Sequence, residues 1–125
     1  MKHEQDGDLF EKNTNKTKFI KGFEALNNEY IFSKSNYSCF SSSDFTKLVE
    51  KNKSDEFVII GYSSTLCCLS TIIEAYHKGL NITYITDASM VKSNKYNEQI
   101  THDHAIDILC AYSNNMKTND FIKFQ

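Results

Sequence analysis

The stretch Phe57-Val-Ile-Ile-Gly-Tyr-Ser-Ser-Thr-Leu-Cys67 decides the fold class of this chain. Its first four residues form an uninterrupted apolar run, which is typical of a strand covered on both faces in a parallel sheet. Gly61 closes this run, and the two serines and the threonine that follow can cap a helix. The stretch therefore predicts a buried strand that leads directly into a helix.

A helix and a second strand are predicted to follow. Apolar residues at helical spacing form one face that ends near Gly79, a residue type favoured at helix C-termini; they are Leu66, Leu69, Ile72, Ile73 and Tyr76. The segment Leu80–Ile85 then alternates like a strand, and Thr86–Ser89 follows at its carboxyl end. Together these segments predict a strand, helix, strand unit with parallel pairing of 57–61 with 82–85 and therefore an α/β fold.

The flanking segments give weaker signals. Downstream, we predict a helix over about 101–113 and a short strand at Met116–Thr118. Upstream, we predict a strand at Tyr30–Ser33 and a helix over Ser43–Glu50, so that Lys34 comes just after a strand. Residues 1–29 lack periodicity and are expected to be mostly loop, with one helical turn around 18–26.

Composition bounds the size and the class of the protein. The chain has 125 residues, 40% of them hydrophobic, and a net charge of -2, which indicates one soluble domain over 1–125. No basic stripe is present, so we expect no nucleic-acid partner. The sequence has neither an apolar leader segment nor a run of about 18 apolar residues. We therefore expect a cytoplasmic protein with no membrane partner.

Cys67 is the best candidate for a reactive group. It lies in the first turn of the predicted helix, where backbone N–H groups and the helix dipole favour a negative charge. A thiolate there could attack a carbonyl group, and the same N–H groups could hold the resulting oxyanion. The alternative is that Cys67 and Cys68 are small buried helix residues, which is the commoner role of a reduced cysteine.

Lys34 is the second candidate. Active sites of parallel α/β sheets lie beyond the carboxyl ends of the strands, where Lys34 and Cys67 would both project. A lysine there could stabilise a thiolate or transfer a proton, whereas the alternative is a solvated surface side chain. The four cysteines and four histidines lack the spacing of metal sites, so we predict no metal and no cofactor. His102 and Asp103, near a helix start, are expected to cap or to pair.

A motif extends from the end of the first predicted strand to the end of the second, with residues Gly61, Cys67, Thr71, Ala75, Gly79, Asp87 and Ala88. It resembles the signature of isochorismatase-like cysteine hydrolases, which is G-x-x-T-x-x-C-V-x-x-T, then an alanine, a glycine at the helix end, and D-A after the next strand. These residues match in register, while Ser64 replaces the threonine and Cys68 the valine. The resemblance implies a three-layer, Rossmann-like parallel sheet with flanking helices.

Two further segments extend the resemblance to about residues 3–122. Lys34-Ser-Asn-Tyr-Ser-Cys-Phe40 is similar to the family's K-x-x-Y-S-A-F, and His102-Asp-His-Ala-Ile106 to its H-x-x-A-L helix start. The resemblance implies that Cys67 is the nucleophile and Lys34 the active-site lysine. It also implies a cis peptide between Tyr62 and Ser63 beside an oxyanion hole that includes Cys67.

The chain departs from the family pattern at its start. Family members begin with an apolar strand that ends in the aspartate of an Asp, Lys, Cys triad, and this sequence shows no such strand. Asp6 and Asp8 follow no strand, so neither is assigned that role. We expect an N-terminally truncated domain that lacks the first strands of the family. The edge of the strand 57–60 would then be uncovered, which favours homo-oligomers.

Three functions follow as hypotheses. The first is hydrolysis of an amide-like or related bond in a small-molecule substrate by the Cys67 thiolate. The second is a catalytically inactive remnant or a partner-dependent subunit, because a nucleophile without its base loses orders of magnitude in rate. The third, redox or metal chemistry of the Cys67-Cys68 pair, is weak because adjacent cysteines rarely meet tetrahedral ligand geometry. The motif does not identify the substrate.

Overall fold

The structure is a computed structural model that describes residues 1–4, 11, 15–19 and 21–123. It divides into two compact units, residues 1–51 and 52–125, and each unit is described by itself. The prediction of a single domain over 1–125 therefore stays a prediction. Within the described ranges, no helix is long and apolar enough to cross a membrane.

The first unit contains little regular structure. Its elements are strand β1 (Lys2–His3), a 3-10 turn (Asn15–Thr17), strand β2 (Ser33–Lys34), a second 3-10 turn (Cys39–Ser41) and helix α1 (Ser43–Lys51). β1 and β2 pair in parallel, with Lys2 opposite Ser33. The predicted helix over Ser43–Glu50 is confirmed as α1.

Two predictions in the first unit are wrong. The predicted strand at Tyr30–Ser33 overlaps β2 only at Ser33, and Lys34, which was predicted to follow the strand, lies within β2, where it pairs with His3. The ring of Phe32 instead packs at 5.9 Å from that of Tyr30 and at 5.8 Å from that of Phe45. No helical turn occurs in the described part of 18–26, where Gly22 has a φ of 89°, outside the right-handed helical region.

The second unit forms a parallel sheet in the order β3-β4-β5. Six elements and one π-helical turn make up this unit; they are β3 (Glu56–Tyr62), the turn Ser64–Cys68, α2 (Leu69–His77), β4 (Asn81–Met90), α3 (Glu98–Leu109), β5 (Asn114–Met116) and α4 (Thr118–Lys123). β3 pairs in parallel with β4, with Phe57 opposite Ile82 and Ile59 opposite Tyr84. The predicted strand, helix, strand unit and its α/β class are confirmed.

The core of this unit lies between the helices and the sheet. Ile72 and Ala75 of α2 and Leu109 of α3 are at most 1% exposed, as is Tyr84 of β4. α2 ends where predicted, since Gly79 has a φ of 73° that favours glycine and its N–H donates to the carbonyl of Tyr76 at 2.9 Å. This packing fixes the carboxyl ends of the strands relative to the helices.

β4 is longer than predicted. It continues through Thr86–Ser89, which we expected to follow the strand, because the pairing shifts register after Ile59 and Gly61 pairs with Ser89. The Ser89 hydroxyl accepts a hydrogen bond from the Gly61 N–H at 3.1 Å and donates to the Ile85 carbonyl at 3.1 Å. The Ser89 side chain thus supplies a hydrogen bond between β3 and β4 where the register of their pairing shifts.

Burial along β3 also differs from the prediction. Exposed and half-buried residues alternate along the strand, and Val58 and Ile60 are 43% and 62% exposed. The prediction that both faces of the run are covered is therefore wrong. Among the described residues, β3 pairs on one side only, with β4.

The last elements are shifted from their predicted positions. α3 begins earlier than predicted because the Asn97 side chain caps it by accepting from the Ile100 N–H at 3.0 Å. It also ends earlier than predicted, at Leu109. At this end, Asn115 donates to the Ile106 carbonyl at 3.1 Å. β5 ends at Met116 instead of beginning there, and α4 was not predicted.

Candidate active site

The connection between β3 and α2 carries the candidate nucleophile. The Tyr62-Ser63 peptide bond is cis, the geometry that the sequence resemblance implies. Ser63 precedes the π-helical turn, and its carbonyl oxygen accepts from the N–H groups of Leu66 at 3.2 Å and of Cys68 at 2.9 Å. The predicted first α-helical turn is thus a π-helical turn, in which these two N–H groups bond to Ser63.

Cys67 is half-buried within this turn, whereas its neighbour Cys68 is 4% exposed. Ser64, at the start of the turn, is fully buried. None of the four cysteines, all of which lie in the described ranges, forms a disulfide. The turn therefore presents one partly accessible thiol, at Cys67, at the carboxyl end of β3.

His102 of α3 joins the turn to β4. Its Nδ1 lies 2.9 Å from the Ser64 hydroxyl oxygen and its Nε2 lies 3.0 Å from the Thr86 carbonyl oxygen. Because a carbonyl oxygen only accepts, Nε2 donates to Thr86, and the Nδ1 of the neutral ring accepts from Ser64. The sequence indicated that His102 pairs or caps, but its two partners are 16 and 38 residues away and could not be identified from local pattern.

Tyr84 lies on the side of the sheet near Cys68. Burial raises the pKa of the Tyr84 phenol, the Ser89 hydroxyl offsets part of that rise, and Cys68 adds to it. The phenol therefore stays protonated at neutral pH. Tyr84 is fully buried and forms part of the core.

Asp87, which matches the aspartate of the D-A motif, has a structural partner. Its carboxylate accepts from the backbone N–H and from the hydroxyl of Thr118, both at 2.8 Å. These two hydrogen bonds lower the pKa of the carboxyl group. Asp87 thereby links β4 to the start of α4.

Lys34 belongs to the first unit. Its side chain is buried, with the residue 5% exposed, and its ammonium group donates to the carbonyls of Asn36 and Tyr37, both at 2.7 Å. The alternative of a solvated surface lysine is therefore wrong. Cys67 lies in the other unit, so the pairing of Lys34 with Cys67 stays a prediction. Asp6 and Asp8 lie outside the described residues.

No group of three or more His, Cys, Asp or Glu side chains that could hold an ion occurs in the part of the chain that the structure describes. The polar side chains of the turn and its hydrogen-bond partner His102 are hydroxyls, thiols and one imidazole. They are suited to nucleophilic attack and hydrogen bonding.

Comparison with known proteins relates most of the chain to one family. The model of the isochorismatase domain matches residues 1–116. Nicotinamidase 3 from Arabidopsis thaliana is 32% identical over 65 residues, which are 52% of this chain and 33% of that protein. The chain thus spans about a third of the length of this curated relative.

Solved structures share the fold. An isochorismatase-like hydrolase from Alkaliphilus metalliredigens superposes with a TM-score of 0.78 at 20% identity, over 89% of this chain and 58% of that one. A cysteine hydrolase from Pseudomonas syringae pv. phaseolicola 1448A gives 0.76 at 15% identity, over 91% and 57%. At these identities, the likeness shows a common parallel α/β fold.

Proposed function

Because this chain belongs to the isochorismatase domain family, whose model matches residues 1–116, we propose that it is a hydrolase that uses Cys67 as a nucleophile on a small molecule. The observation that carries this proposal is the position of Cys67, a half-buried thiol in a hydrogen-bonded turn at the carboxyl end of a parallel strand. Sites of open parallel sheets lie at such ends.

The proposed reaction is hydrolysis of an amide in two steps. The Cys67 sulfur attacks the carbonyl carbon, a C–S bond forms, and the carbonyl oxygen becomes an oxyanion. The C–N bond then breaks, and the amine leaves with one proton. In the second step, water attacks the resulting thioester, which releases a carboxylic acid and returns the sulfur to its starting state.

We propose that backbone N–H groups around Tyr62, Ser63 and Cys67 bind the oxyanion. The turn bonds of Leu66 and Cys68 to the Ser63 carbonyl fix the backbone here before any substrate binds. Donors held in place in this way stabilise developing charge without reorganisation during the reaction. Fixed geometry at the turn thus supports this role.

We propose that Lys34 supplies positive charge to the reaction. A buried ammonium group is costly unless it is hydrogen-bonded, and two carbonyl acceptors at 2.7 Å hold this one in place. Its match to the lysine of the family motif supports the role. A positive charge near Cys67 would favour the thiolate and the oxyanion.

The name of the curated relative supports a proposal for the substrate class. Nicotinamidase 3, by its name, acts on nicotinamide, and its 32% identity extends over 65 residues. We therefore propose a primary carboxamide as the substrate, with nicotinamide as the first compound to test. Carboxamides also fit a cysteine nucleophile, which forms a thioester with them.

The test is ammonia release from nicotinamide by the purified 125-residue chain, compared with its Cys67→Ala and Cys110→Ala variants. Cys110 is exposed and lies outside the turn, so it is the matched control. We expect Cys67→Ala to lower turnover by about a thousandfold or more and Cys110→Ala to leave it unchanged. Turnover that is equal in the unmodified chain and in Cys67→Ala would contradict the proposal and favour the inactive or partner-dependent alternative.

A further inference from the structure

We propose that His102 is a positioning residue that holds the turn Ser64–Cys68, and with it Cys67, against the end of β4. The two ring nitrogens contact two different elements, the turn through Ser64 at 2.9 Å and β4 through Thr86 at 3.0 Å. The effect of this link on catalysis rests on the proposed role of Cys67. Its effect on the geometry of the turn does not.

The hydrogen bond between His102 and Ser64 is important for the turn because Ser64 is buried. Ser64 is fully buried, so its hydroxyl has no access to bulk water, and loss of its acceptor would leave a buried polar group unsatisfied. Ser64 is also the first residue of the turn, and the residue before it supplies the carbonyl that accepts from Leu66 and Cys68. Movement of Ser64 would therefore disturb the bonds that set the position of Cys67.

The Thr86 contact fixes which nitrogen carries the proton. Since the Thr86 carbonyl can only accept, the neutral ring is the Nε2–H tautomer, and Nδ1 is the acceptor for Ser64. Thr86 is 9% exposed and belongs to a strand that pairs on both sides, with β3 and β5. His102 thus ties the turn to the central strand of the sheet in the second unit.

Substitutions separate the two contacts. An asparagine at 102 can place its carbonyl oxygen near the position of Nδ1 and retain the Ser64 bond, whereas a glutamine can place its amide nitrogen near Nε2 and retain the Thr86 bond. Glutamine is the closer match to histidine in size. A role in packing alone would therefore favour His102→Gln, and the proposed role favours His102→Asn.

The experiment measures hydrogen exchange of the Cys68 amide, which donates to the Ser63 carbonyl, in the full chain by NMR. We expect about tenfold faster exchange in His102→Gln and in Ser64→Ala, with no further increase in the double variant because both substitutions remove the same hydrogen bond. His102→Asn, which keeps the Ser64 bond and loses the Thr86 bond, should show a smaller increase. His104→Gln, an exposed histidine of the same helix, is the control and should change nothing. Nitrogen chemical shifts should show the Nε2–H tautomer.

Unchanged exchange in His102→Gln, additive effects in the double variant, or equal exchange in His102→Asn and His102→Gln would overturn the proposal.

Turnover of nicotinamide gives the second readout, with an expected loss of about tenfold in His102→Gln, since small misplacements of a reactive group cost this much or more. Faster exchange in a chain without Cys67-dependent turnover would refute the proposed function and leave the positioning role of His102 intact.

Discussion

The two compact units of this protein are stabilised in different ways. Nine of the ten buried apolar residues of the described ranges belong to residues 52–125, and Val49 is the one in residues 1–51. The first unit instead uses ring contacts such as that of Phe40 with Phe45, at 5.4 Å, and the carbonyl bonds of Lys34. Burial of apolar area dominates folding stability, so the unit that holds Cys67 should be the more stable one.

The largest expected effect tests this difference in the core. Ile72→Ala, at a fully buried position of α2, should lower the free energy of unfolding by about 3 to 4 kcal/mol, from lost transfer energy and the cavity left behind. Val49→Ala in the first unit should cost about 1 to 2 kcal/mol, because a smaller group is removed. Urea unfolding measures both. Equal losses would contradict the expected effect of the larger cavity at Ile72.

An intermediate effect is expected at Ser89, whose hydroxyl bridges Gly61 and Ile85. Ser89→Ala should cost about 1 to 2 kcal/mol, because it leaves partly buried backbone groups without that partner. The matched control in the first unit is Ser41→Ala, which also removes two hydrogen bonds of a hydroxyl, to Asn36 and Ser38. Ser41 is exposed, so water can replace them and the loss of stability should be a few tenths of a kcal/mol. A larger loss at Ser41 than at Ser89 would refute this account.

The smallest effect concerns the pH dependence of stability at Asp87. Hydrogen bonds from Thr118 lower the pKa of Asp87 in the folded chain, so its contribution is complete above the unfolded pKa, about 3.9. It is lost as pH falls through the lower folded pKa. The stability difference between the unmodified chain and Asp87→Asn should therefore shrink in acid. Thr118→Ala, which keeps the backbone donor, should reduce this pH dependence only in part, and a pH-independent difference would contradict the assignment.

The sequence predicted best where signals are local and repeated. The apolar run before Gly61, the helical spacing of Leu69, Ile72 and Tyr76, and the glycine at the helix end predicted β3, α2 and their parallel pairing with β4. Each of these signals reflects the periodicity of a single element. The cis geometry at Tyr62-Ser63 came from the family motif alone, because no periodicity encodes it.

The sequence predicted least where one residue depends on a distant partner. The pairing of β1 with β2 joins two two-residue polar segments about thirty positions apart, and such segments carry no alternation. Exposure of Val58 and Ile60 could not be inferred either, since an apolar run indicates a strand but does not show what covers each face. His102 was noticed, but its role depends on Ser64 and Thr86, which only the folded chain brings together.

The central claim is that Cys67 is the reactive thiol, and competitive labelling tests it most directly. The chain is treated with limiting iodoacetamide at mildly acidic pH, and the modified positions are identified by mass spectrometry. Cys110 is the more exposed thiol, so exposure alone would favour its labelling, whereas the proposed nucleophilic role favours labelling of Cys67. We predict that Cys67 is labelled first of the four cysteines. Labelling of Cys39 or Cys110 ahead of Cys67 would contradict the account.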